Sequence, residues 1–244
     1  MLTNTFIHID GISYRNERHL WEHSIMTWWD VLDSKRKLPF NEEKNFLLKE
    51  EVKRSVREFM RDNISYFSER LPHKEWWRFL RHYRNEIGYV DIETNMQGVI
   101  TVVGLYIGSR FYYFKAGDEP LILEKMMSLP SILVSFNGTA FDIPKIKAEY
   151  PHVELPKIHF DLLKVTRSVG WYGGLKRIEE SLHIKRPEHV KYMNGYNAIL
   201  LWDQYKKGSL KALETLLDYN KYDVLNLEIL LDMFIKEKKF LTLS

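Results

Sequence analysis

The chain has 244 residues, a formal net charge of +3 and a pI near 8.8. That is room for one full-sized domain plus an appendage, without the charge of a strongly electropositive binder. The absence of cysteine excludes disulfides, thiolate zinc centres and cysteine nucleophiles. No run approaches the ~18 apolar residues of a membrane span, and Met1 leads into a polar start without a signal-peptide pattern, so a cytoplasmic protein is expected.

Residues 1–82 read as helices rich in Lys, Arg, Glu and aromatics. Phe6 to Ile12, with Leu20, Ile25 and Trp28 following, resembles half of a helix-hairpin-helix element. Glu42 to Phe67, with apolar Phe46, Leu47, Val52, Val56, Phe59 and Met60, fits one long amphipathic helix. From Arg70 to Arg84, Arg70, Lys74, Arg78, Arg81 and Arg84 interleave with Trp76, Trp77, Phe79 and Tyr83. Such a segment could track a single strand, cations on phosphates and rings on bases; the plainer reading is a helix whose Trp face packs on a core or a second subunit. The many rings make self-association an open expectation. Plentiful Lys, Arg and Glu, with glutamine only at Gln97 and Gln204, match the balance of heat-adapted proteins.

Strands are predicted at Ile87–Thr94, Val99–Ile107 and Arg110–Phe114, joined at Asn95-Met96-Gln97-Gly98 and Gly108-Ser109. In the first strand a period of two puts Asp91 and Glu93 on one face. Two carboxylates there repel each other unless a cation lies between them, and a hard divalent ion is the natural one. A helix at Pro120–Met127 and a buried strand at Ile132–Phe136 follow. That strand runs into Asn137-Gly138 and a helix start, with Asp142 in the first turn. A short strand near Ile158 ends at Asp161, which reads as the cap of the next helix. The C-terminus is a long helical pattern in which Tyr219 and Asp223, four apart, share a face.

Together these segments resemble the three motifs of the DnaQ-like (DEDD) 3′-5′ exonucleases of the ribonuclease-H-like fold. Asp91 and Glu93 match the first motif, Asn137 through Asp142 the second, and Tyr219-x-x-x-Asp223 the third in its tyrosine (DEDDy) form. The resemblance covers roughly residues 84 to 236 and extends to Ile158–Leu163, Gly174-Leu175-Lys176 and Leu217-Asp218-Tyr219-Asn220. Members with a catalytic histidine carry it where this chain has Asp218, so the tyrosine form fits better.

The fold expected is α/β, a ribonuclease-H-like mixed sheet flanked by helices over residues 83–244, behind an N-terminal helical region at 1–82 that could contact nucleic acid or a second copy. The resemblance implies a two-metal-ion 3′-5′ exonuclease acting on single-stranded DNA, with Asp91, Glu93, Asp142 and Asp223 holding two Mg²⁺ or Mn²⁺ ions about 4 Å apart. Tyr219 would orient the attacking water, since a phenol with a pKa near ~10 is a poor base. Candidates for substrate contact are Thr94, Asn95, Asn137, Trp171 and Lys176; Asn137 has an Asx-type turn as its other reading. The competing expectations are an exoribonuclease, a proofreading module serving a polymerase or repair partner, and a non-catalytic nucleic-acid-binding protein.

Overall fold

The computed structural model describes residues 1–243 and divides into two compact units, Met1–Arg84 and a unit beginning at Asn85. The first unit holds α1 (Tyr14–Glu22), α2 (Trp28–Leu32), α3 (Glu42–Met60), α4 (Ile64–Arg70) and α5 (Trp77–Leu80). Ser13 with Asn16 and Thr27 with Asp30 form reciprocal caps at the starts of α1 and α2, which satisfies backbone N–H groups that have no partner within the helix. Trp28, Phe67, Trp77 and Phe79 are fully buried.

Three expectations for this unit are corrected. The stretch from Glu42 to Phe67 is two helices, because Asp62 turns left-handed at φ 52° and Asn63 caps α4 by accepting from the Tyr66 N–H. The buried line on α3 is Leu48, Val52 and Ser55, while Phe46, Leu47 and Met60 face solvent. Residues 7–11 form turns that lead into α1. The Arg70–Arg84 segment is no continuous basic track either: Arg78 is buried, its guanidinium bonded to Glu17 at 3.1 Å and Glu75 at 2.7 Å.

The second unit carries a five-stranded mixed sheet of β1 (Ile87–Thr94), β2 (Ile100–Ile107), β3 (Arg110–Lys115), β4 (Ile132–Ser135) and β5 (Ile158–Asp161), in the order β3-β2-β1-β4-β5. β1, β2 and β3 pair antiparallel, and β4 and β5 add in parallel. Gly108 and Ser109 both take positive φ, the type I′ geometry that matches the twist of a hairpin. The helices are α6 (Pro120–Met127), α7 (Asp142–Glu149), α8 (Leu162–Thr166), α9 (Leu175–Ser181), α10 (Glu188–Lys191), α11 (Gly195–Lys206) and α12 (Leu210–Leu243).

Alternation along the strands divides the sheet's surroundings. Val90, Ile92, Val103 and Leu105 pack with Leu123 and Met127 of α6 and Ile146 of α7. Val102 packs with Ala198 and Trp202 of α11 and Leu216 and Tyr219 of α12. The sheet flanked by helices is the α/β architecture expected. Among the described residues no helix is long and apolar enough to cross a membrane.

Candidate active site

The pleat of β1 sends Val90 and Ile92 into the α6/α7 core and leaves Asp91 and Glu93 on the other face. α12 runs against β1, β2 and β4, and its Asp223 meets the two acids. One carboxylate oxygen from each of Asp91, Glu93 and Asp223 lies within 4.8 Å of the others. Glu93 and Asp223 are buried and Asp91 is partly open.

Asp142 arrives from the start of α7 and stands outside that 4.8 Å group. Its Oδ1 accepts a 3.0 Å hydrogen bond from the backbone N–H of Ile92, between the two β1 acids. The loop that delivers it is pinned by Asp161, whose carboxylate accepts from the N–H groups of Asn137 (2.8 Å), Thr139 (3.0 Å) and Leu163 (3.1 Å). Asp161 therefore caps α8 and fixes the turn after β4 together. Gly138 is required there, since a Cβ would fall 2.1 Å from the Ser135 hydroxyl oxygen.

On α12, Asn220 is fully buried and donates from Nδ2 to both the carbonyl (3.3 Å) and Oδ2 (3.0 Å) of Asp91. It reaches Asp91 over Gly104, the β2 residue paired with Asp91, where a Cβ would stand 1.8 Å from Asn220 Oδ1. A sequence reading misses Asn220 as a functional residue, although its place three before Asp223 on one helix face is the available signal.

Charge dominates this place. Burial, then the negative charges of Asp223, Glu93 and Asp142, push the Asp91 carboxyl well above the ordinary carboxylate range. Glu93 is raised in the same way by burial, Asp223 and Asp142. Burial, with Asp161 and Asp223, pushes Asp142 up to about 7. Burial raises Asp223 too, against the pull of Arg186 and Lys176. Four carboxyl groups that resist ionising side by side are stabilised by positive charge.

Two protein cations supply part of it. Lys176 Nζ donates to the Tyr219 hydroxyl oxygen at 3.2 Å and lies 4.6 Å from the centre of its ring. Arg186 Nη2 meets Asp223 Oδ1 at 2.6 Å. Arg186 and its partner Glu179 escape a sequence reading, because nothing local marks Arg186 as the contact of an acid on a distant helix. Burial and the surrounding carboxylates raise the Tyr219 phenol far above its usual value, so its proton stays on.

A cleft of about 380 Å³ opens beside Asp91, Asp223, Tyr219 and Lys176. Of the expected substrate contacts, Lys176 lines it. Thr94 sits half-buried at the end of β1. The Asn95 side-chain oxygen is occupied in the β1–β2 turn, accepting from Gln97 and Val99 N–H groups. Asn137 is left-handed at φ 68°, as a turn residue would be. The Trp171 ring packs edge-on against Phe234, and its neighbour Tyr172 is the exposed ring of that loop.

The donor set suits a hard divalent ion. It offers carboxylate oxygens alone, without sulfur or imidazole, held close in a buried place where a cation relieves their repulsion.

A family model described as RNase_H superfamily matches residues 88–235. The chain belongs to that superfamily. The matched span holds all four acids and Tyr219. Over 128 residues the chain is 33% identical to the uncharacterized protein YprB of Bacillus subtilis (strain 168), a match covering 46% of this chain and 30% of YprB. The chain thus spans less than a third of that relative's length. Among solved structures it is similar to the family B DNA polymerase from the hyperthermophilic archaeon Pyrobaculum calidifontis, with a TM-score of 0.46 and 15% identity over 59% of this chain and 23% of the polymerase chain.

Proposed function

We propose that this RNase_H superfamily member is a metal-dependent 3′-5′ exonuclease that hydrolyses single-stranded DNA, with its activity in residues 83–244. The observation that carries the reading is the meeting of Asp91, Glu93 and Asp223 oxygens within 4.8 Å, with Asp142 hydrogen-bonded between the β1 acids. A non-catalytic binding protein has no physical need to confine these charges together.

In this reading Asp91, Glu93 and Asp223 hold divalent cations, Mg²⁺ or Mn²⁺, and Asp142 contributes from beside them. Two such ions, when bound, supply the charge that activates water and stabilises the leaving 3′-oxygen. Asn220 fixes the rotamer of Asp91 through its amide. Tyr219, kept protonated, donates a hydrogen bond to the attacking water, while Lys176 takes the other side of the hydroxyl oxygen and lines the cleft along which a phosphate would lie. In this reading Glu93 also hydrogen-bonds the terminal 3′-hydroxyl, which would account for work from an end.

The test is a gel assay of 5′-labelled single-stranded DNA and RNA of one sequence, with Mg²⁺ or Mn²⁺, beside Asp91→Ala and EDTA controls. A ladder shortening from the 3′ end with the native chain alone supports the reading, and faster loss of DNA supports the substrate. Faster loss of RNA turns it into an exoribonuclease. A gel shift without cleavage under either metal replaces it with a binding protein.

A further inference from the structure

Arg186 lies in a closed, buried network that the acidic cluster alone does not explain. Its side chain is 3% exposed, as is that of Glu179. Glu179 grips the guanidinium at two points, Nε to Oε2 and Nη2 to Oε1, both at 2.7 Å. Nη2 also donates to Asp223 Oδ1 at 2.6 Å, so both its hydrogens are engaged. Asn226, one turn beyond Asp223 on α12, donates to Glu179 Oε1 at 3.0 Å. The ring thus runs from α12 through Arg186 to Glu179 of α9 and back to α12.

Stability gives no sufficient reason for such a ring. A buried ionic network is commonly no more stabilising than apolar residues of the same volume, because desolvating the charges offsets their attraction. Its geometry suggests a different use. A planar guanidinium held at two points cannot swing as an ammonium can, so the third contact fixes Asp223 in rotation. With Oδ1 held by the guanidinium, the Asp223 carboxylate is fixed where one of its oxygens lies within 4.8 Å of one from each of Asp91 and Glu93.

We propose that Arg186 is a positioning residue for the acidic site. Held by Glu179, it pins Oδ1 of Asp223, so that a divalent cation meets one pre-aimed oxygen from that residue and a site of reduced negative charge. The inference rests on the cation-binding reading above and deepens it. Arg186 sets a balance in which some metal affinity is given up for a fixed ligand geometry.

That balance gives opposite signs to two substitutions, which simple damage does not. Arg186→Gln removes a positive charge and frees Asp223 to offer both oxygens, so Mn²⁺ binds tighter by about threefold or more, while kcat falls about tenfold or more because the ligand is no longer aimed. Glu179→Gln leaves the guanidinium on Asp223 with its own counter-charge removed, so Mn²⁺ binds about threefold weaker or worse. Arg186→Lys keeps the charge and holds Mn²⁺ affinity near that of the native chain.

The measurement is calorimetric titration of the full chain and these variants with Mn²⁺ in the absence of nucleic acid, beside Asp91→Asn and with thermal unfolding of each. Opposite shifts for Arg186→Gln and Glu179→Gln support the proposal. Should Arg186→Gln fail to fold, weakening in Glu179→Gln with retention in Arg186→Lys supports it equally. Unchanged affinity in both Arg186→Gln and Glu179→Gln, or equal weakening in the two that follows their loss of Tm, overturns it. If the native chain binds no Mn²⁺ that Asp91→Asn removes, the cation-binding reading itself fails and this inference falls with it.

Discussion

The Tyr219 hydroxyl accepts from Lys176 beside the cleft that Asp91 and Asp223 also line, and the charge there decides what that hydroxyl can do. Burial and three nearby carboxylates oppose a phenolate in the metal-free site, and in the proposed reaction the group acts as a hydrogen-bond donor. There its loss removes orientation and leaves the nucleophile's ionisation untouched. Tyr219→Phe is expected to lower kcat by about 10–100-fold, at or below the usual range for a lost acid–base group, with the alkaline limb of the pH–rate profile in place. A profile whose alkaline limb moves with the substitution would make Tyr219 a titrating base.

At the scale of elements, the site depends on how closely α12 approaches the hairpin of β1 and β2. Gly104 leaves the gap through which Asn220 reaches Asp91, and a methyl group there would collide with the amide. Gly104→Ala is expected to cost about 1–3 kcal/mol, typical of overpacking a filled interior, and to weaken hydrolysis by releasing Asp91. Urea unfolding beside an activity assay checks this, and unchanged stability would show that the strand and helix part freely.

The same elements show what a sequence can display. The period of two in Gly88–Thr94 places Asp91 and Glu93 on one face, and the spacing of four places Tyr219 one turn from Asp223, because both rules act within one element. The Asn220 contact, the Arg186–Glu179 grip and the hydrogen bond from Ile92 to Asp142 join residues that no single strand or helix repeat relates, and periodicity carries no record of such pairings. On α3, Phe46 and Leu47 have helical spacing but the wrong face, since spacing alone does not say which side is covered. The break at Asp62-Asn63 is legible as turn chemistry, yet the run of apolar positions across it masks that signal.

For the whole molecule, the crowded acids make stability depend on pH and on metal. Asp142 titrates near 7 in the folded chain and at about 4 when unfolded, and Asp91, Glu93 and Asp223 are shifted in the same direction. These four groups therefore hold more protons folded than unfolded and lose stability as pH rises from about 4 through about 7, outweighing the single buried His8, whose lowered pKa acts in the opposite direction. Metal-free protein should show a falling Tm across that window. A divalent cation replaces the protons, so Mg²⁺ or Mn²⁺ should raise Tm more at about pH 7.5 than at about pH 5. A metal-free Tm that climbs through the window would mean the acids are not confined together.

If Asp91, Glu93 and Asp223 form a cation site, anomalous diffraction at the manganese edge from crystals of the full chain soaked in Mn²⁺ shows it most directly. An anomalous peak is expected among those three carboxylates, absent in Asp91→Asn. Ordered carboxylates with no peak between them, or manganese bound only elsewhere on the chain, would contradict it.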